Sequence, residues 1–148
     1  MQLPEHIKMV YEMSNCLFSK EEVENAIIEM SKKIHEVLSD LNPLVLSVMV
    51  GGMITTAGLL SHIDFPLELD YVHVTRYGKN TTAGETLHWK NKPSTEIQGR
   101  VVLIVDDILD GGVTLQEIVS YCKSEGAKEV YTAVLVDKKN ARLPYGLL

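Results

Sequence analysis

Cysteine is scarce: Cys16 and Cys122 are the only two in 148 residues, far apart and in no CxxC or CxxH spacing. That excludes a disulfide framework and a cysteine-built zinc site, and leaves two reduced thiols packed as small hydrophobes. Basic residues are also in deficit, with 14 Lys and Arg against 20 Asp and Glu and a net charge of −6. Phosphate backbones and anionic bilayers select clustered Lys and Arg, so neither nucleic acid nor membrane is expected as a partner. No apolar run is long enough to span a bilayer, and the first residues (MQLPEHIKMVYEM) lack a basic segment followed by an apolar core. No signal peptide is expected, and a cytoplasmic location follows by default. Repeats and low-complexity tracts are missing too, and the acids form no block of the kind that makes a disordered tail. What remains is one globular domain, since this length suffices for a single hydrophobic core and not for two.

Helical and strand patterns alternate along the chain. Ser19-Lys-Glu-Glu22 reads as a capping box, followed by Val23, Ala26, Ile27, Met30, Ile34, Val37 and Leu38 at helical spacing. Asn42-Pro43 stops that helix. Leu44–Val50 is a near-continuous apolar run, the pattern of a strand buried on both faces, and Gly51-Gly52 ends it before a short helix over Met53–Leu60. Leu67–Thr75 predicts a second strand. Arg76–Pro93 is long and polar, with a short strand around Glu85–Trp89, and a segment of that kind inside a compact domain is usually functional or mobile. Val101–Val105 predicts a strand, Thr114–Ser124 a helix stopped at Gly126, and Val130–Val136 a last strand. Strands alternating with crossover-length helices make a parallel α/β sheet, whose ligands bind beyond the carboxyl ends of the strands. Four places are selected by that rule: Gly51-Gly52, Arg76 onward, Asp106–Thr114, and Asp137-Lys138.

The acidic loop carries the most chemistry. Asp106 and Asp107 follow a run of buried β-formers, and Asp110-Gly111-Gly112-Val113-Thr114 leads into a helix. Adjacent side chains on an extended backbone point opposite ways, so one acid faces the loop interior and the other the ligand. Carboxylates there can accept hydrogen bonds from vicinal hydroxyls. The two glycines let the backbone turn tightly and expose amides at the positive end of a helix dipole, a phosphate site. One loop thus offers acceptors for sugar hydroxyls and donors for a phosphate, at about the separation of the two ends of a ribose phosphate. Rival readings of the acids fail. A Walker B strand would need a GxxxxGK[ST] elsewhere, and none exists. An EF-hand is excluded by Ile108 at the second ligand position. A receiver domain would carry its acid pair after the first strand.

The segment VVLIVDDILDGGVTL resembles the phosphoribosyl diphosphate signature of type I phosphoribosyltransferases, most closely the hypoxanthine-guanine branch. LSVMVGGMITTAGLL is similar to the family's pyrophosphate loop, YVHVTRYG to the strand entering its mobile catalytic loop, and AVLVDKKNAR to its purine-binding stretch. The resemblance implies a parallel-sheet phosphoribosyltransferase fold with flanking helices and a long flexible catalytic loop. It implies transfer of phosphoribosyl from phosphoribosyl diphosphate to a 6-oxopurine (hypoxanthine or guanine), with Mg²⁺ as cofactor. Asp106 and Asp107 then hold the ribose hydroxyls, directly or through the metal or its water. Asp110 lies near purine N7 as general base or acid, and Asp110, Gly111, Gly112, Val113 and Thr114 cradle the 5′-phosphate. Val50 and Gly51 contact pyrophosphate through the backbone, Arg142 reaches the same group, Lys138 donates to O6, and Arg76-Tyr77 opens the catalytic loop. A homodimer or homotetramer is implied as well.

Departures from the family pattern bear on efficiency. Val50 stands where the family usually has Lys, and Gly111 and Val113 where polar residues are common, so weaker pyrophosphate binding is expected. The family continues past the position of Leu148 with a segment that stacks an aromatic ring on the purine, and this single domain is expected to lack it. A non-catalytic regulator binding phosphoribosyl diphosphate or nucleotide on the same fold is the alternative that these departures raise. Ser47 lacks a GxSxG elbow and reads as a buried strand serine. His35, His62, His73 and His88 have no metal-ligand spacing.

Overall fold

The structure is a computed structural model that describes residues 3–77 and 86–138. Helix α1 (Glu5–Met13), which the sequence patterning did not signal, precedes α2 (Lys20–Leu38). The capping box forms as expected: Glu22 N–H donates to Ser19 Oγ at 3.2 Å, and Ser19 N–H donates to the Glu22 carboxylate at 2.7 Å. Then follow β1 (Leu44–Val48), α3 (Gly52–Leu60), β2 (Glu68–Tyr77), β3 (Thr86–Asn91), β4 (Val101–Leu109), α4 (Val113–Ser124) and β5 (Glu129–Asp137).

The strands form one sheet in the order β3-β2-β1-β4-β5. Four are parallel, as the alternation of patterns requires, and β3 returns antiparallel along β2. β4 runs four residues past the apolar run that announces it, because β5 stays alongside and pairs with Asp106, Ile108 and Leu109. The acid pair therefore sits on the strand and not in the loop after it.

Alternation along the strands splits the core in two. Val45, Val101, Leu103 and Val105 pack under Ile27, Ile34 and Leu38 of α2 and Leu59 of α3. Leu44, Leu46, Val102 and Ile104 face Leu115, Ile118 and Val119 of α4. Buried Ser47 is occupied by structure, since the Thr56 hydroxyl approaches its Oγ at 2.8 Å, which matches its reading as a strand serine. Beyond the parallel strands, Trp89 of β3 lies 4.8 Å from the Tyr121 ring of α4, and Lys92 Nζ sits 4.7 Å over that ring. The β2–β3 hairpin is thereby pinned to the helix that begins at the acidic loop.

Candidate active site

Two chain reversals meet at the carboxyl ends of β1 and β4. After β1 the Met49–Val50 peptide is cis, and α3 starts directly at Gly52. Both glycines are needed for close approach. A Cβ on Gly51 would lie 2.5 Å from Asp107 Oδ2, and one on Gly52 would lie 2.7 Å from the Val105 carbonyl oxygen. The loop after β1 thus rests against the acid pair.

The second reversal follows β4. Gly111 and Gly112 have φ of +71° and +75°, the left-handed region that only glycine enters without strain, and Gly112 caps α4 with no side chain. A helix start after such a turn can direct successive N–H groups toward one concavity. Gly51, Asp106, Asp107, Asp110, Gly112 and Thr114 line a single cleft of about 200 Å³, floored by Val48, Val74 and Leu115.

The acids differ in state. Asp107 N–H donates to Asp106 Oδ1 at 2.9 Å, and Ile108 N–H donates to Asp107 Oδ1 at 2.7 Å. Each carboxylate is steadied by the following amide and keeps a second oxygen. Burial pushes the Asp106 carboxyl up to about 7, and the like charge of Asp107 adds to the shift. Asp110 is exposed, and Lys138 Nζ donates to its Oδ2 at 3.0 Å. The pairing of Leu109 with Asp137 in the β4–β5 ladder brings these two side chains together from 28 residues apart.

Most of the residues selected from sequence therefore converge. Val113 begins α4 beside the cleft, half-exposed. Val50 carries an exposed side chain and is not among the residues lining the cleft. Arg76 and Tyr77 end β2, and residues 78–85, where the catalytic loop is expected, lie outside the described residues, as does Arg142. Sequence reasoning passed over Met49, which lines the cleft, and the Gly51–Asp107 and Lys138–Asp110 approaches, which only strand order creates. Among the described residues no three His, Cys, Asp or Glu side chains gather into a metal cage, and no helix is long and apolar enough to cross a membrane.

A glycine turn at a helix start, an acid pair and a glycine loop thus meet at the carboxyl edge of a parallel sheet. The family model of the phosphoribosyl transferase domain matches residues 15–145, and the chain belongs to that family. Its relatives lie in the 6-oxopurine branch. The hypoxanthine-guanine phosphoribosyltransferase of Bacillus subtilis is 31% identical over 134 residues, covering 90% of this chain and 74% of that protein. The hypoxanthine-guanine-xanthine phosphoribosyltransferase of Tritrichomonas foetus is 28% identical, covering 93% of this chain and 74% of that protein. Among solved structures, a variant hypoxanthine phosphoribosyltransferase from Trypanosoma cruzi, complexed with the product IMP, superimposes with a TM-score of 0.78 at 28% identity. It covers 90% of this chain, which covers 73% of it.

Proposed function

We propose that this chain transfers phosphoribosyl from phosphoribosyl diphosphate to hypoxanthine or guanine, giving IMP or GMP and pyrophosphate in purine salvage. The observation that carries the reading is the convergence of Gly51, Asp106, Asp107, Asp110, Gly112 and Thr114 on one cleft, with Lys138 at its Asp110 end.

The roles follow from the chemistry of each group. Amides from Gly111 to Thr114 hold the 5′-phosphate at the start of α4. Asp106 and Asp107 accept from the ribose hydroxyls. Two hard carboxylates, with no third His, Cys, Asp or Glu side chain gathered beside them among the described residues, match the way Mg²⁺ binds, through one or two acids and substrate oxygens. When bound, the ion offsets the charge of the pyrophosphate leaving group. Backbone groups of Val50 and Gly51 meet that pyrophosphate, Arg142 adds its charge there, and Arg76 and Tyr77 stand at the entry to the catalytic loop. Asp110 takes the proton the purine loses as its ring nitrogen attacks C1 of the ribose. Lys138 donates to O6, and a 6-amino group would leave that ammonium without an acceptor. The working form is a homodimer or homotetramer in the cytoplasm.

Purified full chain, phosphoribosyl diphosphate and Mg²⁺ should yield nucleotide with hypoxanthine or guanine and none with adenine. Absence of nucleotide with every 6-oxopurine would overturn the reading. A non-catalytic sensor on the same fold is the second reading, favoured by Val50, whose side chain supplies no cation to the pyrophosphate; binding of nucleotide without turnover would mark it. Lys138→Met should raise KM for the base about 10–100-fold, the worth of a hydrogen bond to a charged group, while KM for phosphoribosyl diphosphate changes little. Steady-state kinetics with each substrate varied in turn measures both.

A further inference from the structure

Strand β1 is buried along its whole length, and its one polar residue is Ser47. Ser47 shares the face of Val45, the one that α2 and α3 cover. Opposite it stands Thr56 of α3, also buried. Thr56 Oγ1 lies 2.8 Å from Ser47 Oγ and 2.8 Å from the carbonyl oxygen of Gly52, the first residue of α3. A carbonyl only accepts, and a hydroxyl has one proton to give. Thr56 therefore donates to Gly52, and the Ser47 hydroxyl donates to Thr56. A directed chain of hydrogen bonds thus runs from the central strand of the sheet to the first turn of the helix.

We propose that Ser47 and Thr56 are positioning residues for the pyrophosphate end of the active site, acting through the Gly52 carbonyl. The inference rests on the reading of Val50 and Gly51 as pyrophosphate contacts. Two apolar side chains could fill the same volume, and exchanging a bonded buried pair for them is close to neutral in stability. What the hydroxyls add is direction, which apolar contact lacks.

The first turn of α3 needs that direction. Its N-cap, Gly51, has no side chain to bond the helix amides, and the helix is only 9 residues long. Ser47 is also paired with Val105 in the β1–β4 ladder, and the Val105 carbonyl oxygen is the atom nearest to where a Cβ on Gly52 would stand. The hydroxyl chain and that close approach act at one level of the sheet. One sets how far along β1 the helix begins, and the other sets how near it comes to β4. Gly51 is thereby held against the Asp107 carboxylate, where both line the cleft. Loss of the hydroxyl at Thr56 lets this turn slide while the core stays filled.

Thr56→Val and Thr56→Ser separate direction from packing. Valine keeps the volume and loses the hydroxyl; serine keeps the hydroxyl and loses a methyl group. If Thr56 only filled space, the serine variant would be the more damaged of the two. A positioning role inverts that order. Calorimetric titration of the purified full chain with pyrophosphate and Mg²⁺ reads the site without turnover. Thr56→Val should weaken binding about tenfold, the worth of one hydrogen bond between neutral groups, while Thr56→Ser stays within about twofold of wild type. The double variant Ser47→Ala/Thr56→Val leaves no hydroxyl unpaired, should keep its far-UV circular dichroism, and should bind as weakly as Thr56→Val, because the pair acts as one unit. In steady-state kinetics the loss should appear in KM for phosphoribosyl diphosphate and leave KM for hypoxanthine unchanged. Equal pyrophosphate affinity in wild type and the double variant would overturn the proposal. So would a Thr56→Ser protein as weak as Thr56→Val, or a wild type that binds no pyrophosphate. Weakened pyrophosphate binding in variants of a chain that makes no nucleotide would sink the reaction and leave the positioning role standing.

Discussion

Gly52→Ala is expected to abolish activity and to cost the protein a substantial part of its stability. The added Cβ would stand 2.7 Å from the Val105 carbonyl oxygen and 3.2 Å from Asp106 Cα. Both are backbone atoms of a central strand, buried between β1 and β5, and neither can rotate away. The strain must be relieved by moving the start of α3 off the end of β4. Overpacking of this kind costs about 1–3 kcal/mol, and a displacement near 1 Å between catalytic groups costs about 10²-fold in rate. Gly51→Ala is the contrast. The three atoms nearest its Cβ all belong to the Asp107 carboxylate, a side chain that can swing, so stability should fall much less while turnover still suffers. Thermal unfolding and turnover of the two variants together separate the effects. A Gly52→Ala protein with wild-type melting temperature and activity would show that the close approach is not required.

The second large effect is in Asp106 and depends on pH. In the folded chain this carboxyl holds its proton up to about 7, chiefly through burial, whereas an ordinary aspartate releases it near 3.8. Between those values the folded state binds more protons than the unfolded one. Stability contributed by the protonated acid is therefore fully present below about 4, declines as pH rises through the interval, and is gone above 7. A shift of roughly 3 units corresponds to a ceiling of about 4 kcal/mol. Asp106→Asn removes that burden, so it should melt several degrees above wild type at pH 8 and close to wild type at pH 4.5. It should also be nearly inactive, because the amide offers the ribose one acceptor in place of two and carries no charge. Stability and function are opposed at this position, as is common where a charged group is held in a partly buried site. Calorimetry across pH decides the matter; equal melting temperatures for variant and wild type at pH 8 would refute it.

Much of this arrangement was legible from residue order. The capping box at Ser19, the apolar runs of β1 and β4, and the stop at Gly126 each rest on local chemistry, so local sequence suffices to place them. The acidic loop was legible for the same reason, since three acids, two glycines and a helix start lie within nine residues. Three things were not legible. α1 is nine residues long and buries none of them, so its apolar residues, though at helical spacing, have no core partner that marks them. The extension of β4 to Leu109 depends on β5 continuing beside it, a non-local pairing. The Asp110–Lys138 and Gly51–Asp107 approaches depend on which strands are neighbours.

The successive glycines at 111 and 112 have a consequence for how such a site endures. Its anion grip is made from peptide groups, which every residue supplies, and the turn is made from handedness, which here two hydrogen atoms supply in place of side chains. Side chains around it can change without dismantling the turn. Under the proposed function, the contacts of Asp106 and Lys138 can therefore be retuned while the phosphate seat is kept.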